Sequence, residues 1–124
     1  MSEQKTILII EDSELNQRLL EAVLKPHGYR LLTAEDGEQG IVLAQAERPD
    51  LVLMDVLLPG IDGYEATRQL RAMPETREVV IVALTASATP EEQDQALAAG
   101  CDGYIVKPID TRNFPERIRR FLLN

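Results

Sequence analysis

Residues 50–66 read DLVLMDVLLPGIDGYEA. Leu51 to Met54 are apolar without a break and run straight into a carboxylate, Asp55. Further apolar residues follow, then Pro59, Gly60 and Gly63. A short, continuous apolar run bounded by turn residues is what a parallel strand needs when both of its faces are covered. An acid at the end of such a strand is costly unless something compensates its charge. The stretch therefore sets the fold class and marks a position that needs a chemical explanation.

Working outward, Thr6 to Ile10, TILII, is a β-rich run. After Glu11, Asp12 and Ser13, the residues Leu15, Leu19, Leu20, Val23 and Leu24 predict a helix, with Ser13 as N-cap and Pro26 and Gly28 as its stop. YRLLTA (29–34) predicts the second strand, and DGEQGIVLAQAER (36–48) a helix that stops before Pro49. Gly63 to Met73 reads as the third helix and VVIVAL (79–84) as the fourth strand. Residues 90–100 form a fourth helix, with Pro90 early and Gly100 at its end. GYIVKP (103–108) is the fifth strand. Phe114, Ile118, Phe121 and Leu122 mark a last amphipathic helix, whose regular part starts near Asn113 because of Pro115.

Five strands alternating with five helices predict an α/β protein: a doubly wound, five-stranded parallel sheet in three α/β/α layers. In such sheets ligands sit beyond the carboxyl ends of the strands. Glu11 and Asp12 follow the first strand, Asp55 ends the third, Thr85 follows the fourth, and Lys107 and Pro108 close the fifth. The second strand ends in Thr33 and Ala34, which suits an edge strand in the flavodoxin-like order 2-1-3-4-5. Three crowded carboxylates repel one another. A divalent cation relieves that, and an all-oxygen site with few protein ligands suits Mg²⁺. Asp55 then becomes a nucleophile toward phosphorus, with Lys107 balancing phosphoryl charge and Thr85 donating to it. Each residue has an ordinary alternative: a helix cap for Glu11 or Asp12, a turn cap for Asp55, a strand residue for Thr85, a solvated charge for Lys107. Their joint placement, each at a different strand end, favours the site.

The bulk properties narrow the partners. The 124 residues make one domain, here spanning 1–124. Net charge is −8, from 13 Lys and Arg against 21 Asp and Glu, which argues against nucleic-acid binding. Cys101 is the single cysteine, so no internal disulfide forms, and it is expected to pack half-buried. No apolar run approaches a membrane span, and no secretory segment opens the chain, so the expected location is cytoplasmic.

The stretches ILIIEDSELN (7–16), PDLVLMDVLLPGIDGYEA (49–66), VVIVALTA (79–86) and GCDGYIVKPI (100–109) together resemble the receiver domain of two-component response regulators. The resemblance covers essentially the whole chain. It is nearest in look to stand-alone receivers with no output domain, such as cell-division and cell-polarity regulators. The strand order belongs to that family and is not a product of periodicity. The resemblance implies a phosphorylation-dependent signalling switch rather than an enzyme in the ordinary sense. Asp55 accepts a phosphoryl group from a phosphohistidine on a histidine kinase or phosphotransfer protein. Asp12, Asp55 and the backbone carbonyl of Leu57 hold Mg²⁺, with Glu11 helping directly or through water. Lys107 and Thr85 contact the phosphoryl oxygens, and Tyr104 matches the aromatic switch position. Pro108 follows a cis peptide bond. Signalling runs through the face made by the fourth helix, fifth strand and fifth helix, in a monomer or weak dimer.

Two positions depart from a fast-hydrolysing pattern. Leu57 and Ser87, each two residues beyond a site residue, offer no acid or amide to orient water, so slow self-dephosphorylation is expected. Arg117, Arg119 and Arg120 read as a solvated helix end, and His27 as a solvated turn residue. The alternatives are an unphosphorylated interaction module, a Mg²⁺-dependent phosphatase and an FMN-binding protein. The acidic EDSELN loop and the absence of Trp argue against FMN, and the lack of a second acid two residues after Asp55 argues against the phosphatase.

Overall fold

The computed structural model describes residues 4–123. Five strands alternate with five helices: β1 (Thr6–Ile10), α1 (Glu14–Leu24), β2 (Arg30–Ala34), α2 (Gly37–Glu47), β3 (Leu51–Asp55), α3 (Gly63–Ala72), β4 (Val80–Thr85), α4 (Pro90–Ala99), β5 (Gly103–Val106) and α5 (Phe114–Leu122). The strands are all parallel, in the order β2-β1-β3-β4-β5. This is the expected α/β/α architecture. The expected element ends shift by one or two residues, most visibly at β5, which stops at Val106 and leaves Lys107 and Pro108 beyond the strand.

The strand pattern explains the layers. Side chains alternate across a pleated sheet. Ile7, Ile9, Leu51 and Leu53 point to one face, where Leu20, Leu24, Phe114 and Ile118 of α1 and α5 cover them. Leu8, Ile10, Val52 and Met54 point to the other, against Ile41, Ala44, Ala66, Leu70 and Ala96 of α2, α3 and α4. The continuous run of β3 is buried on both sides, as its composition requires.

The helices start on side-chain caps. Ser13, Asp36, Asp62 and Thr89 each accept a backbone N–H from the first turn of α1, α2, α3 and α4. Helix α5 starts with Asn113 as its N-cap and carries Pro115 in its first turn, where the missing N–H costs nothing. The Lys107–Pro108 peptide is cis.

The spacing of Leu15, Leu19, Leu20, Val23 and Leu24 predicts a helix and α1 is there, but Leu15 is 77% exposed and Leu19 is also exposed. Residues five apart stand roughly 140° apart round a helix, so the stripe that buries Leu20 and Leu24 turns Leu15 outward. Cys101 is fully rather than half-buried, with its thiol 3.8 Å from the Thr67 hydroxyl.

Candidate functional site: an acidic cavity at the carboxyl edge of the sheet

Parallel register builds the site. Ile10 pairs with Met54, so Glu11 leaves β1 level with Asp55. Asp55 pairs with Leu84, which brings Thr85 alongside. Thr85 pairs with Val106, so Lys107 follows at the same rim. A cavity of about 300 Å³ opens there, with Asp12, Asp55, Leu57, Thr85, Ser87 and Lys107 among the residues on its walls. The expected residues converge, although 96 positions separate Glu11 from Lys107.

The charges interlock. Lys107 Nζ lies 3.1 Å from Glu11 Oε2 and 3.2 Å from Asp55 Oδ2. Asp55 Oδ1 accepts the Leu57 N–H at 3.2 Å. Asp55 is only 5% exposed. Its burial, then the neighbouring Glu11 carboxyl, push its pKa up to about 6, although Lys107 and the Leu57 N–H pull the other way. Burial works against the Lys107 ammonium, but the Asp55 and Glu11 charges prevail and its pKa rises.

Glu11 is held more firmly than its neighbour Asp12. Its N–H donates to the Ala34 carbonyl, and its own carbonyl accepts from Gln17 Nε2 at 2.6 Å. Its carboxylate accepts from the Ser13 N–H and from Asn16 Nδ2. Asp12 is exposed at the mouth. Glu11, Asp12 and Asp55 each offer a carboxylate oxygen, and these oxygens lie within 4.8 Å of one another. Three hard oxygen donors with one open side fit a magnesium ion that keeps part of its water shell.

Thr85 and Tyr104 lie as their strands dictate. The Thr85 hydroxyl donates to the Ser87 carbonyl at 3.0 Å and accepts the Ser87 N–H. Tyr104 is half-buried on β5 and packs against the core under α4. Arg117, read from sequence as part of a solvated helix end, instead donates to the Tyr104 carbonyl at 3.1 Å and ties α5 to β5. Arg119 and Arg120 do face solvent and pair with Glu116. His27 is exposed, as expected. The roles of Gln17 and Arg117 had no signal in the sequence, because each depends on a main-chain carbonyl brought close by folding.

A response regulator receiver domain model matches residues 7–119. The chain belongs to the response regulator receiver family. The polar-differentiation response regulator DivK of Brucella anthropi is 36% identical over 118 residues, covering 95% of this chain and 96% of DivK. The receiver domain of the sensor histidine kinase PA1611 of Pseudomonas aeruginosa, whose crystal structure has a magnesium ion coordinated in the active site cleft, is 38% identical. It superposes with a TM-score of 0.90 over 98% of this chain and 100% of that one. The chemotaxis protein CheY4 of Vibrio cholerae superposes with a TM-score of 0.91 at 27% identity, over 96% of this chain and 99% of that one. The receiver domain is thus a two-component signalling domain rather than an enzyme of the usual kind. Among its described residues no helix is long and apolar enough to cross a membrane.

Proposed function

We propose that this receiver domain is a switch that takes a phosphoryl group onto Asp55 from a phosphohistidine of a histidine kinase or a histidine phosphotransfer protein. The observation that carries this is the meeting of Asp55 with Lys107 at 3.2 Å inside a cluster of three carboxylates at one sheet edge. One Asp55 carboxylate oxygen forms a bond to phosphorus, and the phosphorus–nitrogen bond to the donor imidazole breaks with its electron pair leaving on nitrogen.

Asp12, Asp55 and the Leu57 carbonyl are the proposed Mg²⁺ ligands, with Glu11 assisting. A bound Mg²⁺ supplies positive charge to the phosphoryl oxygens and relieves the repulsion among the carboxylates. Glu11 holds Lys107 against Asp55, so one lysine serves as counter-ion before and after transfer. Burial of Asp55 excludes water from its reactive oxygen on all but the cavity side.

Transfer adds roughly −1.5 to −2 charges and three acceptor oxygens beside Thr85. The Thr85 hydroxyl leaves the Ser87 carbonyl for a phosphoryl oxygen. That movement gives Tyr104 room to turn inward and remodels the face made by α4, β5 and α5. Moving a switch from about 1:99 to 99:1 takes about 5.5 kcal/mol. Two or three charge-assisted hydrogen bonds of about 1.5–3 kcal/mol each amount to about that much.

Incubation with acetyl phosphate and Mg²⁺, followed by intact mass measurement, tests the reading. The expected result is one added phosphoryl group, lost in Asp55→Asn. Steady release of inorganic phosphate with no adduct favours a phosphatase, and no reaction at all favours an unphosphorylated interaction module.

A further inference from the structure

We propose that Tyr64 is a positioning residue for the phosphoacceptor cavity: its hydroxyl clips the Glu92 carboxylate to α3 and keeps that negative charge turned away from the phosphoryl group on Asp55. The inference rests on the phosphoacceptor reading above.

Tyr64 is the second residue of α3, and Glu92 lies in the first turn of α4. The Tyr64 hydroxyl donates to Glu92 Oε2 at 2.7 Å and lies 3.5 Å from the Glu92 carbonyl oxygen. Both residues are half-buried. Glu92 forms part of the wall between two concavities. One is the acceptor cavity with Asp55, Thr85 and Lys107; the other is a groove between α3 and α4 that holds Tyr64.

The backbone of Glu92 has little freedom. Thr89 caps the helix by accepting the Glu92 N–H, and Pro90 stands at the first helical position. Side-chain rotation is the freedom that remains, either toward Tyr64 or toward the cavity. Nothing else among the described hydrogen bonds holds the Glu92 carboxylate. Burial, then the Glu92 contact, raise the Tyr64 pKa, so the phenol keeps its proton and remains a donor. An acid turned into the cavity attracts a cation and repels a phosphoryl group. At partly solvated separations that is worth about a factor of three in affinity for each. The clip therefore favours the anion.

The test compares wild type, Tyr64→Phe, Glu92→Gln and the double variant. Each is titrated first with Mg²⁺ alone, then with trifluoroberyllate, a phosphoryl mimic, at saturating Mg²⁺, following amide NMR shifts. Tyr64→Phe is expected to tighten Mg²⁺ binding and weaken trifluoroberyllate binding, each about threefold. Adding Glu92→Gln is expected to cancel both changes. The clip is overturned if Tyr64→Phe changes neither affinity, if it weakens both together as loosened packing would, or if its effect survives with glutamine at position 92. A wild-type protein that binds no trifluoroberyllate overturns the phosphoacceptor reading and the clip with it.

Discussion

Gly63 stands directly against the backbone of Asp55. A Cβ placed on Gly63 would overlap the Asp55 carbonyl oxygen and come within 2.9 Å of Val56 Cα. The Gly63 N–H also donates to the Val56 carbonyl at 2.9 Å. The first residue of α3 thus fixes the end of the strand that presents Asp55, the proposed phosphoacceptor. Both neighbours are backbone, so neither can swing aside. Gly63→Ala is expected to cost about 1–3 kcal/mol of stability. It is also expected to weaken Mg²⁺ binding, because Asp55 moves. Urea unfolding and Mg²⁺ titration of the same variant check both parts.

The raised pKa of Asp55 makes stability depend on pH. Folded Asp55 holds its proton to about pH 6, whereas the unfolded residue loses it near its ordinary value of 3.8. Between those values the folded state binds more protons, so this residue's contribution to stability falls as pH rises through that window. Above it the full cost of about 2–3 kcal/mol applies. Asp55→Asn is therefore expected to be more stable than wild type at pH 7 by about 2 kcal/mol and to match it near pH 4. Denaturant unfolding at the two pH values decides the matter, and equal stabilities at pH 7 contradict it.

Magnesium should stabilise the wild-type protein through the same carboxylates. At a free Mg²⁺ concentration ten times Kd the gain is about 1.4 kcal/mol. Asp12→Ala and Asp55→Asn are each expected to lose most of the resulting rise in melting temperature. Ca²⁺-free thermal melts with and without Mg²⁺ measure it. An undiminished rise in both variants places the ion elsewhere.

Arg71 joins three segments away from the cavity. Its guanidinium donates to the carbonyls of Gly100, Arg77 and Val79 and to the Asp102 carboxylate. Asp102 in turn accepts the Ile81 N–H at 2.8 Å. Removing that one side chain strips the donor from three carbonyls, so Arg71→Ala is expected to cost about 2–4 kcal/mol. Mg²⁺ affinity is expected to stay unchanged, because none of these groups lines the acidic cavity. Comparing unfolding midpoints with Mg²⁺ titrations separates the two effects.

Self-dephosphorylation is expected to be slow. Leu57 is 74% exposed beside Asp55 but carries no polar side-chain group, and the Ser87 hydroxyl accepts the Thr89 N–H. Neither supplies an acid or amide to hold the attacking water. The phosphoryl group should outlast seconds in Mg²⁺ buffer, as followed by loss of the adduct on phosphate-affinity gels. A half-life of seconds rules this out.

The fold class was legible in the sequence because its signals are local. An apolar run such as Leu51–Met54 states its own burial. The cap Ser13 and the stops Gly28 and Gly100 act within a few residues. The site was legible as a set because in a parallel sheet every strand ends on one rim, so Asp12, Asp55, Thr85 and Lys107 converge once the alternation is recognised. The strand order came from family resemblance, since periodicity does not encode neighbours.

Only the tertiary structure decided how that set is arranged. The double pairing of Lys107, the burial that raises the Asp55 pKa and the Tyr64–Glu92 contact span 28 to 96 positions of chain. Such contacts depend on register and helix rotation, and the same rotation turned Leu15 to solvent against its apolar character. Residue types along the chain determine which chemistry is possible. The distances that select among those possibilities exist only after packing has closed them.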